Sequence, residues 1–546
     1  MLKQILLISW RTLLRNRLVS SITIFGLAAG ITSCILIFLF VDTELSFDKG
    51  WKDADRIYRV NEVIQLQDKQ DPFALTSFIV GEEIKKNVPA VEDLARLYLI
   101  GEQTAWYDGK NFTVEYNYFA DSSFFNILNF PFVQGDPKTA LSKPKTVVIS
   151  ERLAQQIFGA EEPMGKLIRY ARNSYTVTGI IKTTEIPNHL CDVDALMSMS
   201  SMAPETRQAM SADYMQLSSL TYLKVKSGIQ KASLEKQIND WSERVITPWL
   251  KENQLNGKVE FHAQLVQDIH FDTFYIYDLV RKGNKTYVII FALVAVFLLL
   301  IACFNYMNLT TAQAVKRARE VAVKKVAGAS RGQLARQFLG ESFFLTLIAF
   351  LLSIALVELL LPGFNQITDN DSSLLDSLQG GHFWIFILLM LVLAGLAGGS
   401  YPAFYLARLQ PMQVLRSNAM STGKGLKNPG RSLGKILVIL QFGISVAIIT
   451  ATGVVLMQLH FLRNHELGFD KENVVSLSFP AGDTALAYKV DAMRNELKKD
   501  PSILGFATGY HVPGKKTGRI LFYYSFHGKQ ENQPINMSFA DYDYAS

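Results

Sequence analysis

Three groups of residues have types and spacings that bear on chemistry. Gly509-Tyr-His-Val-Pro-Gly514-Lys515-Lys516 comes within one residue of the Gly-rich loop that cradles a nucleotide's phosphates. The last position of such a loop is Ser or Thr, whose hydroxyl holds magnesium. Here it is Lys516, and neither a preceding strand nor a following helix is convincing, so the stretch reads as a solvated turn. No other stretch fits a nucleotide site. Among the eight histidines there is no HExxH, and none pairs with Cys at zinc spacing. His189, Cys191 and Asp192 lie close together, but a polar loop explains them better than a ligand set that lacks further partners. No Ser–His–Asp assignment is arguable, and an enzyme reading finds no support in the residue types.

The third group is a basic segment at 313–336, with Lys316, Arg317, Arg319, Lys324, Lys325, Arg331 and Arg336. Gly328 offers a helix C-terminal stop. Ser330 with Gln333 three residues on is a capping-box start for a second helix. Glu320 and Lys324 stand i,i+4 on the first helix, and Val321, Val323 and Val326 add apolar surface. A positively charged membrane anchor accounts for the cations but not for a capped helix–break–helix.

The element that positions this segment is the run Tyr287–Leu309, with no charge between Lys285 and Lys316. As a helix it crosses the ~30 Å of a bilayer's hydrocarbon. A span followed at once by cations has its cationic end in the cytoplasm. Mean hydropathy is +0.14, and 49 % of the 546 residues are hydrophobic, too apolar for a purely soluble chain of this size. The net charge of +6 is concentrated beside apolar runs. No basic stripe interleaved with aromatics accompanies it, which argues against a nucleic-acid partner. Three cysteines make no disulfide framework. Cys34 and Cys303 fall inside apolar runs. Cys34 is followed by seven more apolar residues, so a lipoprotein site does not fit its context.

Taken in order, residues 1–18 form an amphipathic cytoplasmic helix suited to the membrane interface, with Trp10 at headgroup level. The first span is 19–41. Residues 42–285 form an α+β domain outside the cytoplasm, in one or two lobes. Within it Arg56–Val60 reads as a strand, Phe73–Val88 as a helix, Thr146–Ile149 as a strand entering a helix at Ser150 that stops at Gly159, and Ser174–Ile181 as a strand. The second span is 287–309, followed by a cytoplasmic hairpin at 310–341. The third span runs over 343–362, and its Glu358 lies near the outer end, within reach of water. Asn305 and Asn308 are suited to packing or bonding between helices. The loop 363–381 carries Asp369, Asp371 and Asp376 without Lys or Arg and belongs outside. The fourth span is 382–406, a cytoplasmic linker occupies 407–435, and the fifth span is 436–459.

An internal repeat runs through the chain. Leu45-Ser-Phe-Asp-Lys49 after the first span returns as Leu467-Gly-Phe-Asp-Lys471 after the fifth. Glu83-Ile-Lys-Lys-Asn-Val-Pro89 is echoed by Glu496-Leu-Lys-Lys-Asp-Pro501, and Phe119-Ala-Asp121 by Phe539-Ala-Asp541. Matched positions after matched spans imply duplication. The expectation is a second extracytoplasmic domain beginning at 460 and cut short at 546, in a protein whose full form has eight spans.

Asn305-Tyr-Met-Asn-Leu-Thr-Thr-Ala312 and Arg317-Ala-Arg-Glu-Val-Ala-Val-Lys-Lys-Val-Ala-Gly-Ala-Ser-Arg331 resemble the signature of MacB/FtsX-type ABC transporter permeases. Ala322 stands where the family usually has Gly. Val148–Ala154, Phe158-Gly159, Pro163-Met-Gly-Lys166 and Val177–Ile180 resemble the family's periplasmic core domain, and Gly398-Gly-Ser-Tyr-Pro-Ala403 with Leu409–Leu415 its next landmark. The resemblance implies an α-helical transmembrane protein with an α+β, MacB-like periplasmic core domain, five spans falling in this chain. It further implies a multi-pass inner-membrane permease subunit that binds no cofactor of its own, ATP being held by a cytoplasmic ABC ATPase subunit. It makes the hairpin the ATPase-coupling element, with Arg317, Glu320, Lys324, Lys325, Gly328, Ser330 and Arg331 as its site residues. Further expected partners are a second permease copy or paired permease, a membrane-fusion or outer-membrane component, and membrane lipids. Export or envelope substrate handling by mechanical transmission is the leading expectation. The alternative is an FtsX-like signalling or regulatory protein that controls envelope enzymes or senses a ligand.

Overall fold

The structure, a computed structural model, describes residues 10–11, 13–15, 17–66, 69–170, 173–183, 186–190, 193–278, 280–368, 370, 372–408, 429–465, 474–477, 489–509, 518–526 and 529–545. Most of the N-terminal amphipathic segment and residues 409–428 of the linker therefore lie outside the described residues. Five helices are long and apolar enough to cross a membrane: Arg17–Ser46, Lys285–Gln313, Arg331–Thr368, Gly381–Ser400 and Lys435–Asn464.

The first of these, α1 (Arg17–Ser46), leads into the α+β domain. Its elements are β1 (Ile57–Leu66), β2 (Lys69–Phe73), β3 (Thr76–Ser77), α2 (Phe78–Asn87), β4 (Val91–Leu99), β5 (Gln103–Tyr107), β6 (Lys110–Val114) and β7 (Asn117–Ala120). There follow α3 (Phe124–Ile127), β8 (Phe132–Gly135), β9 (Thr146–Ser150), α4 (Glu151–Phe158), β10 (Leu167–Tyr170), β11 (Asn173–Ile181) and β12 (Ala195–Ser198). The domain closes with α5 (Pro204–Met210), β13 (Leu217–Val225), α6 (Lys231–Glu252) and β14 (Gly257–Leu265). The strands join one mixed sheet in the order β14-β1-β13-β4-β7-β12-β9-β11-β10-β5-β6, with β2 on β1, β3 on β13 and β8 on β11.

Local sequence explains some of these elements and long-range pairing explains others. Ser150 caps α4 by accepting a hydrogen bond from the Leu153 N–H at 3.1 Å, and Gly159 closes it at φ 60°. That helix bridges β9 and β11, which pair in parallel. The helix expected from Phe73 starts only at Phe78. Residues ahead of it are drawn into strands instead, Phe73 opposite Glu62 and Ser77 opposite Leu217. Non-local pairing overrides the helical pattern there. Strand β1 is buried over eight successive residues. Its Tyr58, Val60 and Ile64 pack with Val80 and Ile84 of α2 and Leu234, Ile238 and Trp241 of α6. Ile57 belongs to a different core with Trp51, Leu97, Tyr118 and Phe124.

After the domain come α7 (Lys285–Val326), α8 (Arg331–Thr368), α9 (Leu374–Gln379), α10 (Gly381–Arg408) and α11 (Pro429–Asn464). Leu27, Ile31 and Ile35 of α1 pack with Ala302 and Tyr306 of α7, Ala349 and Val357 of α8, and Phe383 and Ile387 of α10. In lipid, helices associate through close packing and interhelical hydrogen bonds. A Cβ on Gly30 would stand 2.6 Å from that of Ala302, so only glycine admits this approach. Tyr306 Oη donates to Ser342 Oγ at 2.9 Å, Ser342 Oγ donates to the Gly395 carbonyl at 2.8 Å, and Thr310 Oγ1 donates to the Gly398 carbonyl at 3.2 Å. Asn305 Nδ2 stands 3.3 Å from where a Cβ on Gly26 would lie. Helix α8 does not end at Pro362 but carries it inside and runs on to Thr368. Glu358 is exposed. Beyond α11 the described elements include α12 (Val490–Leu497) and a hairpin of β15 (Gly518–Phe526) and β16 (Lys529–Met537).

Candidate functional site

Lys285–Val326 contains no Gly or Pro, so nothing interrupts α7 where its apolar stretch ends, and the span and the cationic segment are one helix of 42 residues. The chain then turns within four residues. The Gly328 N–H donates to the Lys325 carbonyl at 3.0 Å and the Ala329 N–H to the Lys324 carbonyl at 2.9 Å, the paired closure in which the C′ residue takes a left-handed conformation. Gly328 has φ 93°, and its lack of a Cβ makes that conformation inexpensive. The next helix opens with a reciprocal cap. The Ser330 N–H donates to Gln333 Oε1 at 2.9 Å, and the Gln333 N–H donates to Ser330 Oγ at 3.3 Å.

Side chains hold the two arms together. Lys324 Nζ pairs with Glu320 Oε1 at 2.8 Å and donates across the hairpin to Gln337 Oε1 at 3.3 Å. Gln337 Nε2 in turn donates to Glu341 Oε1 at 2.9 Å. Val321, Ala322 and Leu334 are buried. Val321 therefore does not belong to the apolar surface expected of this segment; Val323 and Val326, 58 % and 69 % exposed, do. Burial, and then the nearby Arg331 guanidinium, lower the Lys325 pKa from its ordinary value. Glu320, Lys324, Lys325, Gly328, Ser330 and Arg331 thus meet at one helical tip. The Arg317 side chain lies outside the described residues, as do Cys191, Asp192, Asp369, Asp371 and all of the Gly509–Lys516 stretch except Gly509.

A second polar cluster, at the C-terminal end of α1 and the N-terminal end of α7, escaped the sequence reading. His189 lies in a turn between strands, as a polar loop would have it, but not at the surface. It is fully buried, with Nδ1 2.7 Å from Asp48 Oδ1 and Nε2 2.7 Å from Tyr222 Oη. Nearby, Arg59 donates to both Asp278 carboxylate oxygens at 2.7 Å, and Lys282 also pairs with Asp278. Burial alone would raise the Asp278 pKa, but the Arg59 and Lys282 cations overcome it and hold it below the usual carboxylate range. The available signal was the repeat itself, since Phe47-Asp48-Lys49 recurs as Phe469-Asp470-Lys471.

The α1–sheet unit and the α7–α10 unit correspond to two known protein families. Residues 20–241 match the MacB-like periplasmic core domain, and residues 292–411 match the FtsX-like permease C-terminal domain. The chain belongs to the MacB/FtsX-type ABC permease family. It is a multi-pass inner-membrane permease component, and its hairpin tip lies within the FtsX-like match. It is 24 % identical over 280 residues to the macrolide export ATP-binding/permease protein MacB of Neisseria meningitidis, covering 50 % of this chain and 38 % of that protein. It is 23 % identical over 283 residues to the ABC transporter permease YknZ of Bacillus subtilis, covering 49 % of this chain and 61 % of that one. The chain thus spans less than two thirds of the length of either relative. The crystal structure of the periplasmic region of MacB from Actinobacillus actinomycetemcomitans aligns with a TM-score of 0.28 at 13 % identity, covering 38 % of this chain and 90 % of that one.

Proposed function

We propose that this protein is the permease subunit of an ABC transport system and passes ATP-driven motion from the cytoplasm to the α+β domain, for export or envelope substrate handling. The hairpin tip docks on a separate cytoplasmic ATPase subunit, which binds and hydrolyses ATP, so the permease itself has no catalytic centre or cofactor. The observation that carries this reading is the doubly capped tip. It presents exposed Val323 and Val326 beside Arg331 on a turn fixed by Gly328 and Ser330. A charge anchor for the membrane requires cations but no such fixed geometry.

The test is the Gly328→Val, Ser330→Ala double variant. Valine at φ 93° is strained, and loss of the Ser330 cap costs about 0.5–2 kcal/mol. Neither change alters the number of cations, so insertion and orientation are expected to survive. Co-purification with the cognate ATPase should fall, or ATP hydrolysis should lose its link to transport. Full ATPase binding with full transport in the double variant would show the tip to be an anchor only.

A further inference from the structure

We infer that Glu44, Asp48, His189, Tyr222 and His270 are positioning residues that lock the outer end of α1 and the approach to α7 onto the α+β sheet, so that the first two spans and the domain turn as one body. This rests on the transmission reading above and specifies where the motion is handed over.

The two chain connections between membrane and domain converge on these residues. Glu44, in the last turn of α1, places Oε2 2.9 Å from His270 Nε2 on the segment leading to α7. Phe47 stacks on the His270 ring, centroids 3.7 Å apart and planes 15° from parallel. The Gly283 N–H donates to the His270 carbonyl at 2.9 Å, and a Cβ at Gly283 would collide with both the His270 ring and Glu44. The last residues before α7 are therefore pressed directly against the α1 end, with no space for a side chain between them.

The next turn of chain ties the same corner to the sheet. Asp48 accepts from Trp51 Nε1 at 2.8 Å and from the His189 backbone N–H at 3.2 Å. With those donors pointing at the Asp48 carboxyl, the His189 ring is assigned as donating from Nδ1 to Asp48, which leaves Nε2 to accept from the Tyr222 O–H. Tyr222 lies on β13 directly opposite Arg59 of β1. The His189 carbonyl accepts from the Arg281 N–H at 3.0 Å, four residues ahead of α7. Asp48, His189 and Tyr222 are all fully buried and His270 is 1 % exposed. Bending this corner would strand the buried Asp48, His189 and Tyr222 side chains that now satisfy one another, which is costly in a dry setting. A hinge needs the reverse, exposed backbone with few buried partners. The outer connection between α8 and α10 is built more lightly here, meeting α1 through the Thr43 and Ser372 hydroxyls 3.0 Å apart.

The experiment uses the full chain in lipid nanodiscs without any ATPase, with Cys191 replaced by Ser and spin labels at Ala29 of α1 and Lys86 of the domain. The measured quantity is the width of the distance distribution between labels. The parent should give a narrow distribution. Glu44→Ala should widen it at least twofold while domain melting hardly changes, and Glu44→Gln, which can still accept from His270, should restore the narrow form. Tyr222→Phe, which removes one hydroxyl and no volume of consequence, serves as the second variant and should widen it less. An unchanged width in both Glu44→Ala and Tyr222→Phe overturns the inference, as does a broad distribution in the parent. Neither result bears on ATPase docking, which the hairpin variant tests separately.

Discussion

Asp121 in the α+β domain and Asp541 beyond α11 occupy the same backbone setting with different cations. The Asp121 N–H donates to the Arg96 carbonyl at 3.2 Å and the Asp541 N–H to the Thr508 carbonyl at 2.9 Å. In return the Arg96 N–H donates to Asp121 at 2.9 Å and the Thr508 N–H to Asp541 at 2.8 Å. The adjoining residues also correspond, Leu97 pairing with Ala120 and Gly509 bridging to Ala540. In the first cell the guanidinium comes from the strand, Arg96 Nε lying 2.9 Å from Asp121. In the second it comes from the helix, Arg494 Nη2 lying 2.6 Å from Asp541. Aligning Glu83-Ile-Lys-Lys with Glu496-Leu-Lys-Lys sets Arg494 opposite Gly81. Gly81 is where a Cβ would stand 2.6 Å from Arg96 Cδ. The segment beyond α11 therefore has the same carboxylate and backbone clasp, while its cation comes from the helix, at the position that aligns with Gly81, rather than from the strand.

Burial differs between the cells and sets the largest expected effect. The Arg96 side chain is 7 % exposed and that of Arg494 25 %. Asp121→Ala removes the bonds to Arg96 Nε and Nη2 and leaves the buried guanidinium only Glu82 and the Phe78 carbonyl; it should cost about 3 kcal/mol, read as loss of unfolding free energy in the full-length protein. Asp541→Ala leaves a cation that water can reach and should cost clearly less. Equal losses would mean the two cells are not built to different depths.

A double-mutant cycle tests the exchange of sides. Arg96→Thr should destabilise, and Gly81→Arg alone should also destabilise by crowding Arg96. Combined, the new arginine can reach Asp121 from the helix as Arg494 reaches Asp541. A favourable coupling of about 1–3 kcal/mol is expected; strict additivity would break the comparison.

Acid and base should separate two of the domain's and tail's carboxylates. The Thr508 backbone N–H, more than Arg494, holds Asp541 below the ordinary range, so its contribution is present above that range and is lost as pH falls through the folded value. Glu62 of β1 is the opposite case. Burial, opposed by the hydrogen bond from the Ser77 N–H, pushes it up to about 8. The fold keeps that proton while the unfolded chain releases it, so stability is complete below the usual Glu range and declines as pH rises toward about 8. Glu62→Gln should flatten this decline in pH-dependent unfolding of the full chain, and an unchanged slope would assign it elsewhere. The smallest effect is expected of Thr508→Val, which removes a 2.9 Å hydroxyl bond to Asp541 but leaves the backbone clasp. Faster hydrogen exchange at the Thr508 amide, with α12 unaffected, is the predicted readout.

How much of this was legible depends on the range of the interaction responsible. The strand–helix–strand at Thr146–Ile181 was readable because Ser150 and Gly159 cap α4 from within it. The hairpin turn was readable for the same reason, with Gly328 and the Ser330–Gln333 box all lying within six consecutive residues. Residues 73–77 misled because their partners on β1 and β13 are not neighbours in sequence. That the His189 loop is buried was not legible, because its carboxylate partner, Asp48, precedes it by 141 positions. Val321 was misplaced because which face of a helix another arm covers is not written in that helix's own periodicity.

The unbroken course of α7 has a mechanical consequence. At 42 residues it is a strut roughly 63 Å long, reaching from just beyond Gly283, which bonds to His270, to the hairpin tip without a Gly or Pro at which to kink. A stiff strut converts angle into displacement. Tilting one end by about 5° carries the other sideways by about 5 Å, given the ~1.5 Å rise per residue, the width of roughly one turn of helix. A tilt that small at one end of α7 would thus become, at its other end, a movement large enough to shift one element past another.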